Sequence, residues 1–124
     1  NGNVGIGTRS PTHTLTTAGN THLSGGLVHK RTAISSATYS IQLSDYYLGV
    51  DTTAAPVQLT VPAASTAVEG QTFVVKDEGG ASGTNNITLA RSAADTIDGA
   101  SSALIESDYG AVSLYTDGSN WFIH

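Results

Sequence analysis

The opening run constrains the fold most. Asn3-Val4-Gly5-Ile6-Gly7-Thr8 alternates apolar side chains with glycine, and a Ser10-Pro11 turn leads into Leu15-Thr16-Thr17-Ala18-Gly19. A segment this thin cannot bury its own apolar groups, and glycine between them lets another backbone approach closely. Val4, Ile6 and Leu15 therefore need partners from outside the segment. The simplest suppliers are a second and a third copy of the same chain, so these three residues are the expected trimer contacts. The pattern points to an elongated homo-oligomeric fibre rather than a compact enzyme.

The remaining composition narrows the class. At 124 residues the chain is one domain's worth, or a domain plus an extended arm. It opens on Asn1 rather than Met and reads as a piece of a longer or processed protein. Cys is absent, which removes disulfides, thiol chemistry and cysteine metal sites. Stability must then come from packing, hydrogen bonding or association. The formal net charge of −5 disfavours nucleic acid, whose phosphates demand a basic surface. No apolar run approaches the roughly 20 residues that span a bilayer, so membrane insertion is not expected.

Along the chain the apolar period is two, and no helix is expected. Val57, Leu59 and Val61 alternate with Gln58 and Thr60; Phe73 and Val75 with Thr72, Val74 and Lys76; Ile87 and Leu89 flank Thr88. Each reads as a half-buried strand. Turn clusters separate them, notably Asp77-Glu78-Gly79-Gly80 and Asp98-Gly99. Short strands with frequent turns argue for an all-β sandwich or barrel. Residues 1–29 are Gly- and Thr-rich with sparse apolar groups and read as an extended β arm, a fibre shaft. Residues 30–124 read as a small sandwich or barrel-like head.

The last strands form the sharpest local expectation. Asp117-Gly118 between Ala111–Thr116 and Trp121–His124 is a strong hairpin signal. It pairs Thr116 with Trp121, Tyr115 with Phe122 and Leu114 with Ile123. One face then carries Val112, Leu114, Trp121 and Ile123, the expected core side. The other carries Tyr115 and Phe122, an aromatic pair that needs a covering strand, subunit or ligand.

Several runs are similar to segments of bacteriophage tail-fibre and related virion fibre proteins. The run Gly2-Asn3-Val4-Gly5-Ile6-Gly7-Thr8 with Ser10-Pro11 and Leu15 resembles their shaft motif. Glu69–Asp77, Thr96–Ala100 and Leu114–Trp121 are similar to their C-terminal head segments. The resemblance implies a homotrimer, a shaft-and-head fragment from the C-terminal end of a fibre, and a place on the extracellular virion. It also implies attachment to host surface polymers or capping of the fibre.

Each possible chemistry competes with a simpler reading. Glycoside hydrolysis needs two carboxylates across a cleft. Only Glu106 and Asp108 share a strand face by period two, and they read as solvated strand-end residues. Most other acids sit in turns, where a carboxylate bonds its own backbone. Asp77-Glu78-Gly79-Gly80 lacks the alternating acidic spacing of a calcium loop. His13, His22 and His29 would form a metal ring only if one of them lined a trimer axis. No Gly-X-Ser-X-Gly elbow appears, and Gly5-Ile6-Gly7 lacks a dinucleotide fingerprint. No catalytic residue, metal or cofactor is therefore expected, and the chain is read as a non-enzyme.

The aromatic residues are the better binding lead, because sugars stack their C–H faces on rings. Tyr115 and Phe122 lead, with Tyr46 and Tyr47 behind them. On a strand those last two point to opposite faces, so one at most serves a given site. The function expected is a virion fibre tip that assembles as a trimer and attaches to a host-surface glycan. The alternatives are a monomeric carbohydrate-binding module of a larger secreted protein and a polysaccharide depolymerase with an intersubunit site.

Overall fold

The computed structural model describes residues 2–124. β1 (Val4–Ile6) and β2 (Leu15–Thr17) form a two-stranded parallel sheet, with Val4 opposite Leu15 and Ile6 opposite Thr17. The next strands are β3 (Arg31–Ile34), β4 (Thr38–Ser40), β5 (Tyr47–Val50), β6 (Val57–Val61) and β7 (Thr72–Asp77). They are followed by β8 (Ile87–Arg91), β9 (Ser102–Ile105), β10 (Ala111–Thr116) and β11 (Trp121–Ile123). These nine make a five-stranded sheet in the order β11-β10-β7-β5-β3 and a four-stranded sheet in the order β4-β6-β8-β9. The fold is all-β. The sheets do not close into a barrel, so of the two expected architectures the sandwich is observed. Among the described residues there is no α-helix; a single 3-10 turn, Ala64–Thr66, follows Pro62.

The alternating residues fill the core as expected. Val57, Leu59, Val61, Phe73, Val75, Ile87 and Leu89 are all buried. Each such side chain contributes about 1.5–3 kcal/mol by leaving water. All sixteen buried hydrophobic residues lie between Ile34 and Trp121. The N-terminal sheet thus contributes nothing to the core.

The order of pairing was not visible in the pattern. From β3 to β8 successive strands alternate between the two sheets, so sheet neighbours are two strands apart in sequence. β3, β5 and β7 pair in parallel, as do β4, β6 and β8. Parallel neighbours need a crossover, and here the crossover carries a strand of the opposite sheet. The chain therefore winds in three rungs, β3–β4, β5–β6 and β7–β8. β9, β10 and β11 finish it with antiparallel pairs.

The final hairpin has the expected register: Thr116 opposite Trp121, Tyr115 opposite Phe122, Leu114 opposite Ile123. Asp117 accepts from the Ser119 and Asn120 N–H groups and so sets the turn. Leu114 and Trp121 are fully buried, and Val112 and Ile123 pack against the core. The Trp121 ring meets Phe73 at 5.2 Å, and its Nε1–H donates to the Pro62 carbonyl at 2.9 Å.

Candidate functional site: the outer face of the five-stranded sheet

Two buried carboxylates hold the loops that frame this face. The Asp77 carboxylate ends β7 in full burial. Its Oδ1 accepts from the Thr52 hydroxyl at 2.7 Å and the Gly80 N–H at 3.0 Å. Its Oδ2 accepts from the Ser82 N–H at 3.1 Å and the Tyr109 N–H at 3.0 Å. Burial pushes this carboxyl up, but the donors from Thr52, Ser82 and Tyr109 outweigh it and hold it well below the usual range. Asp45 does the same work at the start of the sandwich. It accepts from the Lys30 ammonium, the Thr32 and Tyr39 hydroxyls and the Gln42 N–H. Burial again opposes ionisation, and Lys30 with the other donors reverses it.

The sheet these clamps support has one face on the core and one open. The register places Arg31, Tyr47, Val74 and Ser113 in one row across the open face. His124 extends that row, since its N–H donates to the Ser113 carbonyl. The adjacent row is Thr72, Tyr115 and Phe122. Tyr115 and Phe122 rings lie 5.5 Å apart, and the His124 ring meets Tyr115 edge-on at 5.4 Å. Tyr115 is 40% and Tyr47 43% exposed. Among the described residues no strand covers the aromatic pair.

Tyr46 and Tyr47 correct the opposite-faces expectation. β5 begins at Tyr47, so Tyr46 lies before the strand and escapes its alternation. Their rings touch edge to face at 4.8 Å, and Tyr46 stacks on His29 at 3.8 Å. The three rings form one cluster. The sequence marks His29 only as an arm residue, and no periodicity reveals that it caps Tyr46.

The acidic candidates have partners within the chain. Glu106 and Asp108 do not share a strand face, because β9 ends at Ile105 and both lie in the following turn. Glu106 accepts from Asn86, and Asp108 from the Gly83 N–H. Both oxygens of Asp77 are already occupied by N–H and O–H donors, which leaves no lone pairs arranged for calcium. Among the described residues no group of three His, Asp or Glu side chains is placed to hold a metal. Val4, Ile6 and Leu15 are 53%, 59% and 61% exposed.

A shallow groove of about 430 Å³ opens at the β3 end of the outer face. Ala33 and Gly49 lie along it, with Arg31, Asp51, Thr53 and Glu78 around them. Glu78 crosses over Gly49 to form a two-point ion pair with Arg31. A Cβ at Gly49 would collide with that carboxylate, so the glycine makes the crossing possible.

No curated protein matches the sequence. A match over residues 7–120, most of the chain, is to the family described as Bacteriophage T4 gp9/10-like protein, N-terminal. The match concerns a bacteriophage structural family and carries no C-terminal tail-fibre assignment. The winding β-sandwich thus belongs to the bacteriophage T4 gp9/10-like family of phage structural proteins.

Proposed function

We propose that this chain is a virion fibre module that works as a homotrimer, with residues 1–29 as an assembly arm and residues 30–124 as the head. The observation that carries the reading is the exposure of the arm. Val4, Ile6, Leu15, Leu23, Leu27 and Val28 are all more than half exposed, Val28 at 97%. A two-stranded sheet with no core is marginal in water, and such surface favours association. The family membership supports a place in the virion and a structural rather than catalytic task. Absolute mass by light scattering tests this on the full chain and on one shortened to begin at Lys30, which keeps the Asp45 partner. Three times the chain mass, falling to one on shortening, is the expected result. A monomeric full chain would remove the reading and favour a detached carbohydrate-binding module.

Attachment to a host-surface glycan is the second role, favoured by the Tyr115–Phe122 pair lying open on the outer face. Three weak sites on one rigid tip would bind a repetitive surface by avidity. Tyr115→Ala should then abolish adsorption to host polysaccharide while leaving the mass unchanged. Loss of the oligomer instead would mean that the aromatic pair is a subunit contact.

A further inference from the structure

The edges of the two large sheets differ in how they are closed. The β11 edge is covered by Thr96–Asp98: the Trp121 N–H donates to the Thr96 carbonyl, and the Ile123 N–H to Asp98. The outward carbonyls of the β4 edge are capped by its own chain. The Gln58 N–H to Ala37 and Ile41 N–H to Thr60 bonds fix its phase, so Thr38 and Ser40 point outward. Their carbonyls accept from the Ser36 hydroxyl at 2.7 Å and the Gln42 amide at 2.8 Å.

The β3 edge has no such cover among the described residues. Bonds from the Tyr47 N–H to the Lys30 carbonyl and from the Asp51 N–H to the Ile34 carbonyl fix the phase of the β3–β5 ladder. Lys30, Thr32 and Ile34 face β5, so the N–H and C=O groups of Arg31 and Ala33 point off the sheet. A bare row of this kind is a template for another strand. β9 is also an edge strand, but the groove lies beside β3.

The N-terminal sheet carries the matching half. The Val4 N–H to Thr14 and Ala18 N–H to Ile6 bonds turn Thr14, Thr16 and Ala18 toward β1. Leu15 and Thr17 therefore present their N–H and C=O groups outward. Both free edges offer two residues at i and i+2. We infer that β2 of one copy adds antiparallel to β3 of a second copy, with Leu15 paired to Ala33 and Thr17 to Arg31.

In that register Leu15 lies on the outer face beside Ala33, in the groove that the Arg31–Glu78 pair over Gly49 borders. Its exposed side chain and the bare backbone row are covered in one step. Residues 18–30 link β2 to β3, and 13 extended residues reach about 40 Å, enough to pass to a neighbour. Within one chain the two edges stay unpaired and belong to separate sheets. Exchange of such an element between copies is a low-cost route to a closed oligomer. The inference rests on the oligomeric reading above and names the surface that makes it.

The absence of cysteine makes the test clean. A hydrogen-bonded antiparallel pair sets Cα atoms about 5.5 Å apart, within disulfide range. Full-length chain carrying L15C and A33C is oxidised and run on a denaturing, non-reducing gel, beside wild type weighed by light scattering. Most of the chain should move into reducible covalent trimer. L15C with T88C, on the outer face of the other sheet, should stay at the single-chain position. An oligomeric wild type with no covalent oligomer from the first pair would overturn the edge pairing and leave the fibre reading standing. A monomeric wild type would remove both. A disulfide closed within single chains would also overturn the exchange, placing β2 on its own β3.

Discussion

Replacing Asp77 by Asn changes almost no volume and tests whether this buried carboxylate organises the sandwich. Each of its oxygens accepts two hydrogen bonds: Oδ1 from Thr52 and Gly80, Oδ2 from Ser82 and Tyr109. An amide keeps one accepting oxygen and puts an NH2 where the other stood. With the NH2 at the Oδ1 position the Thr52 hydroxyl can turn to accept from it, and the Gly80 N–H is stranded; the other flip strands the Ser82 and Tyr109 N–H groups. Each lost bond to a charged acceptor is worth about 1.5–3 kcal/mol, and stranding its donor costs a similar amount. We therefore expect a loss of about 3 kcal/mol or more, a large share of the total stability of a domain this size. With a urea slope of about 2 kcal/mol per molar, the midpoint falls by roughly 1.5 M. The comparison needs one fixed protein concentration, since association would add to apparent stability.

The acid limb gives an independent check. The Asp77 carboxyl titrates below its ordinary range in the folded chain and at about 3.9 in the unfolded one. The unfolded state binds the proton first, so this stability is fully present above about pH 4–5 and is lost as pH falls toward the folded value. The amide of the Asp77→Asn variant has no such proton to bind. The gap between wild type and Asp77→Asn should be widest at neutral pH and shrink below about pH 4. A variant within about 1 kcal/mol of wild type at pH 7, or a gap independent of pH, would refute the argument.

Other substitutions separate the remaining supports. Trp121→Phe removes the bond to the Pro62 carbonyl and leaves space beside Phe73; the urea midpoint should report a loss of about 2–3 kcal/mol. The same residue is the only tryptophan and is fully buried, so its wild-type fluorescence should resist quenching by iodide until unfolding. Gly79→Ala drives a Cβ to 2.5 Å from the Thr52 backbone nitrogen and should cost about 1–3 kcal/mol in melts. Gly49→Ala displaces only the exposed end of Glu78 and should cost less than about 1 kcal/mol. Lys30→Ala removes one of four donors from buried Asp45 and should cost about 1–2 kcal/mol, measured by the same midpoint shift.

The residues legible in the sequence were those whose structure is set locally. The Asp117-Gly118 turn fixes the Leu114–Ile123 register within a few residues, and period two tells which side of β6, β7 and β8 is buried. Neither says which strand lies alongside. The parallel neighbours of β3–β8 are two strands apart, and the same alternation serves a hairpin or a winding rung equally well. The carboxylate clamps were hidden for a related reason. Asp77 draws donors from Thr52 and Tyr109, 25 and 32 residues away, so its neighbourhood reads as a flexible Gly-Gly turn. Tyr46 and Tyr47 depart from the expected alternation because it begins only where the strand does.

The winding also explains why the opening run looks incomplete. In a stack of rungs each strand is closed by the next, and the first rung has no predecessor. That rung is β3–β4. The outward carbonyls of its β4 edge accept from Ser36 and Gln42, but those of Arg31 and Ala33 find no equivalent among the described residues. The residues that could serve as a preceding rung are β1 and β2, yet they form a separate sheet without a core. Retaining both an uncovered edge and an uncovered strand fits one chain completing the next. The proposed pairing would cover Leu15 without adding a residue to the core.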